Sequence, residues 1–345
     1  MSTNVALLGS DTAPLSTTTR SRPVVTNGPI RTLRTDTGQI IRAATGQINT
    51  GTSGGVFSNT TWANGRALGL NTLRCGIQKS TNSMSVSAIL ANVDLVVELA
   101  RVNRMYCMLG YFAASPGAYD DDVAGNEARW NAFWSVAAPR YKDNSWVFFE
   151  QVNEPWAFGQ LATLTAATKA SLKRVYDTMR AGAPDTVIGL LGTANLSPSA
   201  SQYAAMLASL DSLGNGVPID WSNTVLAHHY YNQTYQLTVT GNSNNATDGG
   251  RAGLTALAAD YPLLGTETNW YVEQVREPLI DALDLYEDLG IGWTLLRTPG
   301  QTSPVYSHDY DDNPNTPDTP AALGPAYLEN KVEQLRSRGY LIPVE

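Results

Sequence analysis

Charge is scarce in this chain: Asp, Glu, Lys and Arg together make up 16% of its 345 residues, and the formal net charge is −8. No run of lysine or arginine occurs, which argues against a nucleic-acid partner and favours a neutral ligand over an anionic one. Cysteine is almost missing. Cys75 and Cys107 are the two present and cannot build a disulfide framework. Both fall on strands expected to be buried, so they are expected to be free, reduced packing residues. No apolar run reaches the roughly 18 residues of a membrane-crossing helix. The opening MSTNVALLGS has no basic n-region, and Val5 to Leu8 is too short an apolar stretch for a signal peptide. The glycine spacing of a dinucleotide-binding turn is absent too: GTSGG at 51–55 lacks the G-x-G-x-x-G order, which counts against an open doubly wound sheet. No H-x-H follows the first strand and no H-E-x-x-H occurs, so a catalytic metal is not indicated.

What is present is apolar and aromatic. Hydrophobic residues make up 43%, with 8 Trp, 16 Tyr, 29 Gly and 18 Pro. That is enough for a large core in a loop-rich α/β protein, and such aromatic side chains serve both as core and as flat platforms for sugars. From about residue 38 the chain alternates between short apolar runs and longer amphipathic stretches. The strand candidates are 40–46, LGLNTLRCGI, RMYCMLGYF, WVFFEQVNEP, TVIGLLG, NTVLAHHYY, PLLGTET and IGWTLLRT, each followed by a helical pattern. Eight such alternations predict a single (β/α)8 TIM barrel. Residues 36–345 form the barrel domain on this reading. Residues 1–35 are a Ser/Thr-rich tail lying along the barrel bottom or edge, and 34–41 a small hairpin turning at Thr37-Gly38.

Chemistry concentrates in Arg140 to Trp156, RYKDNSWVFFEQVNEPW. Trp146 to Phe149 read as a strand buried on both faces. Asn153, Glu154 and Pro155 sit where it runs out, since proline cannot continue a central ladder. In a closed barrel that end carries the active site, and a glutamate there can donate a proton near neutral pH. A second glutamate, Glu267 in LLGTETNWY, closes the seventh strand 113 residues later. Hydrolysing an acetal needs two carboxyl groups, one protonated and one ionised, and a separation of about 5–5.5 Å leads to retention.

The phrase at 140–156 resembles the acid/base strand of glycoside hydrolase family 5, the cellulase-like retaining β-glycosidases, whose usual wording is RYKDNPNVIFEL-NEP. The resemblance extends over 229–231, 262–271 and 289–294. It implies that Glu154 is the general acid/base and Glu267 the nucleophile. It further implies that Arg74 holds the nucleophile carboxylate and that Asn153 contacts the sugar 2-hydroxyl. His229 would lie beside the acid/base, the Tyr231 hydroxyl would support the nucleophile, and Trp293 would floor the sugar ring. Trp156, Trp270 and Tyr271 fall in loops where neighbouring sugar platforms would lie, and His228 is read as structural. The implied activity is endo-hydrolysis of a β-1,4-linked polysaccharide of glucan, mannan or xylan type by a secreted monomer without an organic cofactor.

Two departures stand out. The third strand reads Leu109-Gly110-Tyr111-Phe112 where the family ends in Asp-aromatic-His, which weakens the usual cellulase assignment. After the eighth strand, HDYDDNPNTPDTP places Asp309, Asp311, Asn313 and Asn315 at the alternation of calcium-loop ligands, but Pro314 stands at the glycine position and no terminal Glu follows. We read this segment as a solvated acidic lid, with a structural Ca²⁺ on Asp309, Asp311 and Asn313 as the minor alternative. Three rivals keep the same scaffold: an exo-acting β-glycosidase, a non-catalytic carbohydrate-binding barrel, and a metal-dependent hydrolase.

Overall fold

A computed structural model of the chain describes residues 21–48, 55–78, 84–112, 122–155, 164–193, 200–230, 251–268 and 285–295. Two short antiparallel strands come first, β1 (Val24–Val25) and β2 (Leu33–Arg34). The barrel strands are β3 (Arg42–Ile48), β4 (Thr72–Gln78), β5 (Tyr106–Phe112), β6 (Val147–Glu150), β7 (Ile188–Thr193), β8 (Thr224–Tyr230), β9 (Leu263–Thr268) and β10 (Trp293–Leu295). They are parallel neighbours in that order, and β10 returns to pair with β3, so the barrel is closed. The connecting helices are α1 (Asn59–Ala67), α2 (Val86–Val102), α3 (Val123–Tyr141), α4 (Ala166–Gly182), α5 (Ala200–Leu210) and α6 (Arg251–Asp260). A further helical turn at 285–289 precedes β10. This is the expected TIM barrel, with strand boundaries within two residues of the reading for most strands. No helix among the described residues is long and apolar enough to cross a membrane.

Local chemistry explains where the helices start. Ser85 accepts from the Ala88 N–H and Thr165 from the Thr168 N–H, each satisfying one of the donors a helix N-terminus leaves open. Strand alternation then sorts side chains into two layers. Outward-facing Leu73, Cys75, Cys107, Leu109, Phe149 and Leu226 pack beneath the helices. Inward-facing Ile41, Ala43, Tyr106, Met108, Phe148, Val187, Val225 and Leu264 fill the lower barrel. Leu33 of β2 joins that inner cluster with no exposed surface, so the β1–β2 segment closes the barrel bottom. The hairpin at 34–41 is present: Arg34 bridges Ile40, and Gly38 takes φ +82° at the turn, a conformation open to glycine without a Cβ penalty. Cys75 and Cys107 are both free and buried, and burial pushes the Cys75 thiol pKa well up.

The outward face of β8 holds a group with a consequence for stability. His228 has no exposed surface and shares a 2.7 Å hydrogen bond through Nε2 with the Tyr286 hydroxyl. Burial drives its pKa down to about 3. The unfolded chain binds this proton below its ordinary value of about 6.5 and the folded chain does not. Stability from this group is therefore full above pH 6.5 and is lost as pH falls toward 3. The expected slope is on the order of 1 kcal/mol per pH unit across that window. His228→Gln keeps a polar partner for Tyr286 and should flatten it. Urea unfolding of both proteins between pH 7 and 4 checks this; parallel pH dependences would refute it.

Candidate active site

Above the apolar plug, inward positions turn polar or small. Arg74 of β4, Glu150 of β6 and His229 of β8 are buried there without exposed surface, beside Gly76 and Gly110. Arg74 is the hub. Its Nε and Nη2 donate to the two oxygens of Glu150 at 2.6 and 2.8 Å, and its Nη1 donates to Glu267 at 2.8 Å. Nη2 also donates to Asn153 Oδ1 at 2.6 Å and lies 3.3 Å from His229 Nε2. Burial alone would lower the Arg74 pKa, but the charges of Glu150 and Glu267 and their hydrogen bonds outweigh it and hold the pKa above the ordinary arginine value. A permanent cation therefore sits under the barrel mouth, with its charge met by two carboxylates.

His229 links the remaining acid. Its Nδ1 is 2.5 Å from Glu154 Oε1 and 3.4 Å from Glu267 Oε2. Since guanidinium only donates, Nε2 facing Arg74 acts as acceptor, and the proton belongs on Nδ1, pointing at Glu154. One oxygen of Glu154, one of Glu267 and a His229 ring nitrogen lie within 4.8 Å of one another. The three could in principle ligate a cation, but the Arg74 guanidinium already compensates Glu267 and would repel a divalent ion at this spot.

Both glutamates reach the mouth because strand alternation breaks beside each. On β9 Leu264 faces inward and Gly265 abuts Tyr286 outside, so simple alternation would turn Glu267 outward too. A register shift intervenes: His228 pairs with Gly265 but His229 pairs with Glu267. This bulge re-aims Glu267 into the barrel. Past β6, Glu154 adopts φ +42°, a left-handed conformation sparsely populated by non-glycine residues. That twist lets consecutive Asn153 and Glu154 both point into the mouth. Strain of this kind costs on the order of 1–3 kcal/mol and gathers at functional sites. Contacts from Asn153 N–H to Tyr111 O and from Gln151 N–H to Gly189 O hold the segment in place.

The structure thus gathers Glu154, Glu267, Arg74, Asn153 and His229 in one place. Trp293 it does not. That residue opens β10, is fully buried, and gives its indole N–H to Glu287 at 2.8 Å on the outer face of the barrel. Its partner Glu287 also takes a two-pronged bond from Arg42 of β3, so Trp293 stitches the barrel seam and does not floor a sugar. The parity of β10, with Trp293 and Leu295 packed beneath the helices, is the physical reason. Tyr231, Trp156, Trp270, Tyr271 and the acidic segment with Asp309, Asp311, Asn313 and Asn315 lie outside the described residues. Two participants escaped the sequence reading. Glu150 was legible in principle: it is an acid on a strand buried on both faces, two positions after inward Phe148. Phe112 occupies the third-strand position noted as a departure, and its ring lies 4.3 Å over Arg74.

The cellulase family profile, glycosyl hydrolase family 5, matches residues 41–297. Among solved structures, the catalytic domain of a Thermobifida fusca endoglucanase is similar with a TM-score of 0.61 at 16% identity, over 90% of this chain and 97% of that one. The catalytic domain of a mannanase from Streptomyces sp. SirexAA-E is similar with a TM-score of 0.55 at 21% identity, over 84% and 85%. A Streptomyces thermolilacinus β-mannanase structure with mannohexaose gives 0.54 at 19% identity, over 82% and 86%. A search of curated proteins returned no match. At these identities the structural likeness speaks to the fold.

Proposed function

The chain belongs to glycosyl hydrolase family 5, and from that premise we propose that this glycoside hydrolase is a retaining endo-β-1,4-glycanase acting through Glu267 and Glu154. The observation that carries the reading is that one oxygen of each carboxylate lies within 4.8 Å of the other beside His229, which supports the shorter of the two separations known for paired catalytic carboxyl groups. Inverting enzymes need about 6.5–9.5 Å, to leave room for a water, and retaining ones about 5–5.5 Å. In the first step the Glu267 carboxylate attacks the anomeric carbon as the bond to the leaving sugar breaks and Glu154 protonates the departing oxygen. In the second, Glu154 takes a proton from water, the water oxygen bonds to the anomeric carbon, and the ester to Glu267 breaks. Two inversions give net retention.

The surrounding groups support this division of labour. Arg74 favours the ionised form of Glu267, which a nucleophile requires. Asn153, with its Oδ1 held by Arg74, keeps its amide N–H groups for the sugar 2-hydroxyl. The fold's likeness to both endoglucanase and mannanase structures supports the substrate class, and a polymer too large to enter a cell is in keeping with action outside it. The test is hydrolysis of glucan, mannan, xylan and mixed-linkage polymers, with the anomeric configuration of the first-formed product followed by proton NMR. The expected result is a β product released from internal cleavage, at a rate unchanged by chelators. An α product would sink the double displacement, and chelator loss restored by a divalent metal would favour metal-dependent hydrolysis instead.

A further inference from the structure

The ring of Phe112 has an arrangement that the reaction scheme leaves unexplained. Tyr106, Met108, Gly110 and Phe112 are the inward positions of β5, and Arg74 and Gly76 share that face on β4. Gly76 and Gly110 are direct partners across the two strands, so the barrel wall above Arg74 carries no side chain over two neighbouring positions. Phe112 folds its ring into this hollow. A Cβ on Gly76 would meet the ring at 2.2 Å, and one on Gly110 would lie 2.9 Å from the ring and 2.8 Å from Glu150 Oε2. The ring consequently covers the guanidinium of Arg74 at 4.3 Å, with 9% of the residue exposed. The guanidinium edges are taken by Glu150, Glu267 and Asn153, and its π face is taken by Phe112.

We propose that Phe112 is a positioning residue: seated in the Gly76–Gly110 hollow, it locks the plane of the Arg74 guanidinium and shields it from water, so that Arg74 presents one fixed donor to Glu267. The proposal rests on the reading of Glu267 as nucleophile. It gives the third-strand departure a role, because a ring face over a cation substitutes for a hydrogen-bonding side chain. A guanidinium stacked on one face and bonded along its edges has a single orientation. An unstacked one can tilt and admit water, which weakens its hold on a carboxylate at the barrel mouth.

Three variants test this. Phe112→Leu removes the π face at similar volume, Phe112→Tyr restores it, and Gly76→Ala pushes the ring off Arg74 without altering Phe112. We expect Phe112→Leu and Gly76→Ala each to lower kcat about 10- to 100-fold with KM changed less than about threefold, since positioning acts on the transition state more than on binding. The acidic limb of kcat/KM should move to higher pH in both, as Glu267 loses part of its fixed cation. Phe112→Tyr should stay within about threefold of the parent with the limb in place. Carboxylate ¹³C NMR of the glutamates follows the same ionisation without turnover. An unmoved Glu267 midpoint in Phe112→Leu would overturn the proposal, as would Phe112→Tyr failing as badly as Phe112→Leu. An inactive parent protein would instead count against the hydrolase mechanism, while the NMR titration would still decide the role of Phe112.

Discussion

Glu267→Ala is expected to reduce kcat on the order of 10⁴- to 10⁶-fold, as removal of a nucleophile does in other covalent mechanisms, and to leave the fold in place. The fold survives because Arg74 keeps its two-pronged pair with Glu150, so no buried cation is orphaned. The missing carboxylate leaves a small space beside Arg74, on the face from which the anomeric carbon is attacked. Added azide should enter it and attack that carbon directly, while Glu154 still protonates the leaving group. The product with an aryl β-glycoside is then an α-glycosyl azide, formed at a rate that rises with azide concentration. Glu154→Ala should behave differently. It should retain fast glycosylation from substrates with good leaving groups, accumulate the ester on Glu267, and yield a β-glycosyl azide. Progress curves and product NMR separate the two. A β-azide from Glu267→Ala together with an α-azide from Glu154→Ala would exchange the assigned roles, and near-parent turnover in either would remove that residue from the chemistry.

The legible part of this protein is the part governed by period and composition. Eight apolar runs alternating with amphipathic helices need a closed sheet beneath a helix layer, and the strands fall where those runs lie. His229 and Glu267 sit near the carboxyl ends of their strands and Asn153 and Glu154 just past one, with Arg74 lower on β4 beneath them, and a barrel brings such ends together. The directions of the side chains were harder to read. Alternation correctly separates His228, outside against Tyr286, from His229 inside. Applied to Glu267, the same rule fails, because the bulge opposite His228 and His229 is signalled in LLGTET only by Gly265, a residue that close packing against Tyr286 would also call for. Applied to Asn153 and Glu154 it fails again, through a left-handed backbone at a residue that rarely adopts one. Both departures lie at the proposed acid and nucleophile, where tertiary contacts override local preference. Trp293 shows the converse: a motif match located the strand, but its inward or outward sense depended on where the strand begins.

Arg74 is where stability and chemistry meet, and its replacement should expose both. Arg74→Met leaves Glu150 fully buried with its counter-charge gone, and breaking a buried pair from one side costs about 3–5 kcal/mol. Turnover should fall with it, since Glu267 loses its cation and Asn153 loses the donor that orients it. Arg74→Lys should fare little better, because a point charge with three donors cannot reproduce a planar fork shared among Glu150, Glu267 and Asn153. The decisive protein is the double variant Arg74→Met with Glu150→Leu. It removes the stranded carboxylate as well, and replacing a whole buried ion pair by apolar side chains is often neutral or stabilising. Urea unfolding should therefore return to within about 1–2 kcal/mol of the parent, while kcat/KM stays as low as in Arg74→Met. Recovery of stability without activity would separate the two duties of this arginine: the charge it balances at Glu150 can be replaced by packing, and the charge it presents to Glu267 cannot. Recovery of activity along with stability would mean that Arg74 serves the fold alone.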